Sequence, residues 1–197
     1  VVNGAGKAWA AGVDLELFQR AKIEPGFAPY EDGVAIINLL QTMPQVTIAM
    51  LNGYCFTGAM EIMMAFDLII AAEEALIGDT HAKWGIPPKW GMTQRLLQQV
   101  GMRKAKELSF TAQPISGKEA ARIGLVNCAV PLEQLRPTVD DWTAKILANS
   151  GQPIAAVKHL YQYGQDHLLP DGLAYEQGYE MNLTDKTDDL QNFKKHL

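Results

Sequence analysis

The sequence predicts an α/β fold, and three observations carry that prediction. A short apolar run with β-branched residues, Val46-Thr47-Ile48-Ala49-Met50-Leu51, stops at the turn dipeptide Asn52-Gly53. A second tight turn at Gly58-Ala59 opens the run Met60 to Phe66, which reads as a buried helix. Asp67 ends that helix, and Leu68-Ile69-Ile70-Ala71-Ala72 follows as a second buried strand. Strand, turn, helix and strand in quick succession is the grammar of an α/β core.

The remaining elements follow in order. Val1-Val2 reads as the tail of a strand whose beginning is missing, so the chain is expected to lack N-terminal strands. Residues 23–33 hold Pro25, Gly26, Pro29 and Gly33 and read as a loop. Val34 to Leu40 is an apolar helical stretch ending before Pro44. The Gly- and Pro-rich segment from Asp79 to Gly91 carries Trp84 and Trp90 and is expected to be an ordered loop. From Leu135 the pattern becomes helical, with helices expected over Thr138–Asn149, Pro153–Gly164 and Gly172–Asp185. This gives an α/β core over 1–134 and a helical C-terminal region over 135–197.

Composition sets bounds on function. With 197 residues, 48% hydrophobic and 20% charged, the chain is long enough for one sizeable core. A net charge of −5 without a basic tract gives no electrostatic case for nucleic acid or an anionic membrane surface. No uninterrupted apolar stretch reaches the length of a transmembrane helix. Cys55 and Cys128 fit neither a disulfide nor a zinc framework, and no metal site is expected. A cytoplasmic location is the expectation, with an organellar one left open because the chain begins on Val1.

Several motifs fail on inspection. Gly4-Ala5-Gly6-Lys7 resembles part of a phosphate loop, but Ala8 stands where Ser or Thr must ligate magnesium. No Gly-x-Ser-x-Gly elbow exists. Cys55, beside Phe56, reads as a packed thiol. Met60, Met63 and Met64 read as core, and His159 and His167 as surface residues.

Glu61 is the residue that calls for chemistry. In the first turn of an apolar helix its anion is favoured by the helix dipole, while burial raises its pKa toward the range useful for proton transfer. The competing reading is a capping glutamate paired with a neighbour. The N–H groups behind the Gly58-Ala59 turn also suit an anion or a developing oxyanion.

Four ordered stretches resemble the crotonase (enoyl-CoA hydratase/isomerase) superfamily over nearly the whole chain. They are Asn3 to Leu15, then Asn52-Gly53-Tyr54 with Gly58-Ala59-Met60-Glu61 and Asp67 to Ala71, then Gly91-Met92-Thr93-Gln94-Arg95-Leu96, then Ile115 to Val126. The resemblance implies a ββα superhelical core and a C-terminal helical region that assembles trimers, often paired into hexamers. It implies an acyl-CoA thioester as substrate and no cofactor beyond it. By resemblance, the backbone N–H groups of Val13 and Gly58 form the oxyanion hole, and Glu61 moves the proton. Ala10, Ala11 and Gly12 would hold the adenine end of CoA, with Asp14 and Leu15 just beyond. A lysine usual after that aspartate is missing here, and Lys7 is a weak substitute for the phosphate contact.

The second acid/base position departs from the family. An ungapped alignment puts His81 where hydratases carry another glutamate, with Asp79 two residues earlier and on the same face of an extended segment. His81 as a replacement acid/base titrating near pH 6.5, Glu61 acting alone, and His81 as a mere pocket residue all stay open. The acyl pocket is expected to involve Phe27, Trp84 and Trp90. The function expected is that of an enoyl-CoA hydratase or isomerase. The alternatives are a one-base isomerase, a hydrolase or decarboxylase of the same fold, or a degenerate acyl-CoA binder.

Overall fold

The computed structural model describes residues 1–14, 16 and 31–180. Leu15, Phe27, most of the 23–33 loop and the end of the helix expected to reach Asp185 lie outside that set. The chain divides into two compact units, residues 1–41 with 47–141, and residues 42–46 with the part beyond 141.

The first unit is built on two four-stranded sheets. One has the order β1-β3-β5-β8, from Val2–Asn3, Ile48–Leu51, Leu68–Ala72 and Cys128–Val130, all parallel. The other has the order β2-β4-β6-β7, from Ala8–Ala10, Tyr54–Phe56, Leu76–Gly78 and Ile115–Ser116, with only β7 antiparallel. All of β3 and most of β5 are buried, as expected for parallel strands covered on both faces. Ile48 to Leu51 pair with Leu68 to Ala71 in unbroken register.

A strand–strand–helix unit repeats. β3 hands over to β4 at Asn52-Gly53, and α2 (Gly58–Met63) follows; β5 and β6 lead likewise to α3 (His81–Trp84). The helix α1 (Glu31–Thr42) precedes them, and α4 (Met92–Thr111), α5 (Gly117–Arg122) and β7 and β8 complete the unit. The Asn52 turn locks the first loop, since its side chain accepts from Gly4 N at 3.1 Å and donates to Gly6 O at 3.0 Å. Asp67 ties the next crossover by accepting from Thr47 N and Oγ1 at 2.7 and 2.8 Å.

Three expectations about the first unit need correction. The helix carrying Glu61 stops at Met63 rather than reaching Phe66, because Ala65 and Phe66 close turns onto the carbonyls of Ile62 and Met63. The helix expected from Val34 begins already at Glu31, where two acidic residues suit a helix N-terminus. The 79–91 segment is not all loop: it contains α3, and Trp84 is 60% exposed while Trp90 is buried.

C-terminal helices run over α6 (Leu132–Leu147), α7 (Gly151–Asp166) and α8 (Leu169–Gly178). α6 passes through Pro137 instead of starting after it, with Leu135 and Val139 buried on one face against the lost hydrogen bond. Pro153 and Pro170 fall in first turns, where a missing N–H costs nothing. Among the described residues no helix is long and apolar enough to cross a membrane.

Trp90 is the wedge that sets the spacing of α1 and α2. It forms a small cluster with Ile37 and Ala65. A Cβ on Gly33 of α1 would lie 2.1–2.6 Å from its ring, and one on Gly58 of α2 would lie 2.6 Å from it. Gly33→Ala is therefore expected to lose about 1–3 kcal/mol of stability through overpacking, read as a lower denaturant midpoint. An unchanged midpoint would mean that the ring is free to shift.

Candidate active site

The site forms where helix starts meet. β2 lies parallel beside β4, so the chain beyond Ala10 runs past the start of α2. A Cβ on Gly12 would sit 3.7 Å from Thr57 Cβ and 3.9 Å from Gly58 N, and one on Gly58 would sit 3.4 Å from Val13 Cγ2. Gly58 is the first residue of α2, so its N–H has no partner within the helix. Among the described residues, neither that N–H nor that of Val13 donates a hydrogen bond.

Glu61 projects from α2 at 2% exposure. Its Oε1 accepts from Trp90 N at 2.8 Å and from Met92 N at 3.0 Å. The dipole that favours its anion is thus less that of its own six-residue helix than the start of the 20-residue α4, whose first residue is Met92. With Oε1 committed, Oε2 faces His81 Nε2 at 3.4 Å.

His81 is buried at 6% exposure and Asp79 at 3%. Asp79 Oδ1 lies 2.6 Å from His81 Nδ1 and also accepts from His81 N at 3.3 Å. The two meet because His81 opens α3, turning back onto Asp79, and not because they share the face of an extended strand. Burial alone would lower the imidazole pKa, but hydrogen bonds to Asp79 and then Glu61 outweigh it and push His81 up to about 9. Burial likewise works to raise the Asp79 pKa, yet bonds from His81 and Ser109 hold it below its ordinary value. The titration expected near 6.5 is thus displaced upward, and His81 holds its proton at neutral pH.

The two shifts carry opposite stability signs. The His81 contribution is full below its unfolded pKa of 6.5 and is lost as pH rises through about 9. The Asp79 contribution is present above the unfolded value of 3.8 and is lost as pH falls through its depressed folded one.

A cavity of about 370 Å³ opens over this line. Glu61, His81, Gly58 and Val13 all line it, together with Ala11, Gly12, Asp14, Trp84 and Trp90. Ala10 stays in β2 and Lys7 lies on the exposed turn before it, neither of them on the cavity wall. The wall also includes Thr57, Ile86, Pro87 and Lys89, which sequence reasoning did not pick out. Thr57 adjoins Gly58 and was open to inference from that position; the other three sit in a loop that carries no motif. Cys55, by contrast, is fully buried, and burial pushes its thiol far above the ordinary range, which removes it as a nucleophile.

Residues 1–196 match the family model described as enoyl-CoA hydratase/isomerase. The chain belongs to that family. A crystal structure of an enoyl-CoA hydratase from Bacillus anthracis superposes with a TM-score of 0.89 at 34% identity, covering 98% of this chain and 77% of that one. A hydroxycinnamoyl-CoA hydratase-lyase from Pseudomonas fluorescens is 32% identical over 220 residues, covering 99% of this chain and 79% of that protein. A crotonyl-CoA hydratase from Syntrophomonas wolfei is 36% identical over 149 residues, covering 75% of this chain and 57% of that protein. These relatives are longer than the chain, which spans from little more than half to about four fifths of them. The crotonase-like α/β fold read from the sequence is thus shown, and the protein is an enzyme of the hydratase/isomerase type.

Asp79→Asn removes the negative partner that holds the imidazole charged. The His81 pKa, followed by NMR titration of its ring, is expected to fall from about 9 toward 6.5. A titration that stays near 9 would assign the shift to Glu61 instead.

Proposed function

We propose that the protein adds water across the double bond of an enoyl-CoA thioester, with Glu61 as base and the imidazolium of His81 as acid. The observation that carries the reading is the buried line Asp79–His81–Glu61, whose His81 and Glu61 line the cavity together with Gly58 and Val13. The thioester oxygen sits between those two N–H groups, which stabilise the charge it gains as the α-carbon becomes enolate-like. Glu61 Oε2 takes a proton from water as the water oxygen bonds to the β-carbon, and the double-bond electrons move onto the thioester. His81 then gives its Nε2 proton to the α-carbon. Glu61 is left protonated and His81 neutral, 3.4 Å apart, and the proton passes between them to restore the resting state. The net change is hydroxyl on one carbon and hydrogen on the other, with no cofactor beyond CoA.

Held by Asp79, His81 is suited to the acid role at neutral pH, where a free histidine is mostly uncharged. Of the residues assigned to CoA by resemblance, Ala11, Gly12 and Asp14 line the cavity and are the ones proposed to touch the substrate.

The decisive test is a panel of CoA thioesters assayed by mass, where gain of water supports hydration and loss of the thiol or of carbon dioxide does not. On the substrate so found, Glu61→Gln is expected to keep thioester binding and cut turnover by at least about two orders of magnitude. Turnover is expected to fall as pH rises through about 9, where His81 loses its proton, and His81→Ala should abolish that limb. Near-normal turnover in a folded Glu61→Gln variant would move the chemistry elsewhere.

Self-association into a trimer or hexamer belongs to the same proposal. The C-terminal helices leave Leu147, Tyr161, Leu168 and Leu169 74–77% exposed, apolar surface that a homo-oligomer would cover. Light scattering at micromolar concentration should give at least a trimer mass; a monomer mass would contradict this part of the reading.

A further inference from the structure

α2 and α3 both begin on a threonine, Thr57 and Thr80, and neither hydroxyl caps its own helix. The two hydroxyls bond each other instead. This is unusual, since an N-cap threonine ordinarily accepts from an N–H one turn into its helix. Thr57 is also held at φ 56° and ψ −118°, a conformation costly for a β-branched residue. Its N–H donates to Gly78 O at 3.0 Å, and its carbonyl accepts from Glu61 N at 3.1 Å. The backbone is therefore pinned on both sides so that the Thr57 side chain lies where it does.

A pair of hydroxyls has two protons and uses one in their mutual bond. Thr80 is buried at 7% exposure, is absent from the cavity wall, and among the described residues its hydroxyl bonds only Thr57. Burial with no other acceptor makes Thr80 the donor of the pair. Thr57 is half-buried and lines the cavity, with its Cβ facing the Gly12 turn of the Val13 loop. Its own proton is left free, on the residue immediately before Gly58. We propose that the Thr57 hydroxyl is a third hydrogen-bond donor to the substrate's thioester oxygen, polarised by the bond it accepts from Thr80. The assignment rests on the thioester reading of the cavity and adds a side-chain donor to its two main-chain ones.

The test compares Thr57→Val, Thr57→Gly, Thr57→Ser and Thr80→Val. Thr57→Gly removes the hydroxyl while easing the positive φ, so one hydroxyl-free variant folds even if valine is not tolerated. Two readouts are used: turnover of the substrate found above, and the red shift in absorption of a bound conjugated dienoyl-CoA, which reports the pull on the thioester carbonyl. Thr57→Val and Thr57→Gly are expected to lose much of the red shift and on the order of 10- to 100-fold in kcat. Thr57→Ser should retain both. Thr80→Val should keep most of the red shift and stay within a few-fold in kcat, because Thr57 still donates. Unchanged kcat and red shift without the Thr57 hydroxyl would overturn the proposal. So would equal losses in Thr57→Val and Thr80→Val, the mark of a purely structural pair. A wild-type protein that binds no CoA thioester would remove the cavity reading, and this assignment with it, a result distinct from failure of the Thr57 variants alone.

Discussion

A carboxylate at 2% exposure is costly unless donors replace the water it has lost, and for Glu61 those donors are the N–H groups of Trp90 and Met92. That pair of bonds settles more than the charge. It joins α2 to the start of α4, so the segment from α3 to α4 must close over the cavity. It places Trp90 against Gly33 and Gly58, where no larger residue fits. The closure is reinforced by Arg95, which donates to the Trp90 carbonyl at 2.7 Å and to Gln41 at 3.0 Å. By occupying Oε1, the bonds also leave a single oxygen, Oε2, facing His81.

His81 stands between two carboxylates, and its electrostatics follow from that placement. A neutral imidazole there would leave Asp79 and Glu61 as like charges with no cation between them. A charged one meets both, and the gain exceeds the desolvation of the ring. A second glutamate would need a raised pKa to hold a proton at neutral pH; a histidine held by Asp79 carries one without that requirement. On the proposed reading, His81 at the position the sequence resemblance gives to a second glutamate keeps a proton donor there and changes its charge from neutral to positive. On the same reading the consequence is electrostatic, since an imidazolium would also favour the negative charge that develops on the thioester.

Much of this was legible from residues alone, and the divisions have physical causes. The strands around Ile48 and Leu68 and the turn at Asn52 announced themselves because buried parallel strands are locally apolar and turns are locally polar. Glu61 stood out because a carboxylate in an apolar run is anomalous whatever surrounds it. Its donors did not, because Trp90 and Met92 lie about thirty positions away and contribute main-chain atoms, which carry no sequence mark. The Asp79–His81 bond was anticipated for the wrong reason. Spacing of two suggests a strand face, yet a helix beginning at His81 also brings an i−2 carboxylate onto the ring. Lys89 and Pro87 on the cavity wall were invisible, since the course of a loop is decided by what it packs on and not by its own pattern.

The repeat of the fold explains why the chemistry gathers at one place. Each strand–strand–helix unit releases a helix start at the same end of its sheet, and helix starts carry unpaired N–H groups. The first unit delivers Thr57, Gly58 and Glu61; the second delivers Thr80 and His81; α4, next along the chain, supplies the amides that hold Glu61. In an isolated helix such groups would be satisfied by its own capping residue. Here Thr57 and Thr80 turn their hydroxyls to each other and Glu61 accepts from the first N–H of α4, so capping within each helix is exchanged for bonding between neighbouring elements. Exchange of this kind ties the position of each helix start to that of the next. A displacement at one is therefore felt at all three, and the spacing of Glu61, His81 and the Gly58 amide is set jointly by the repeat.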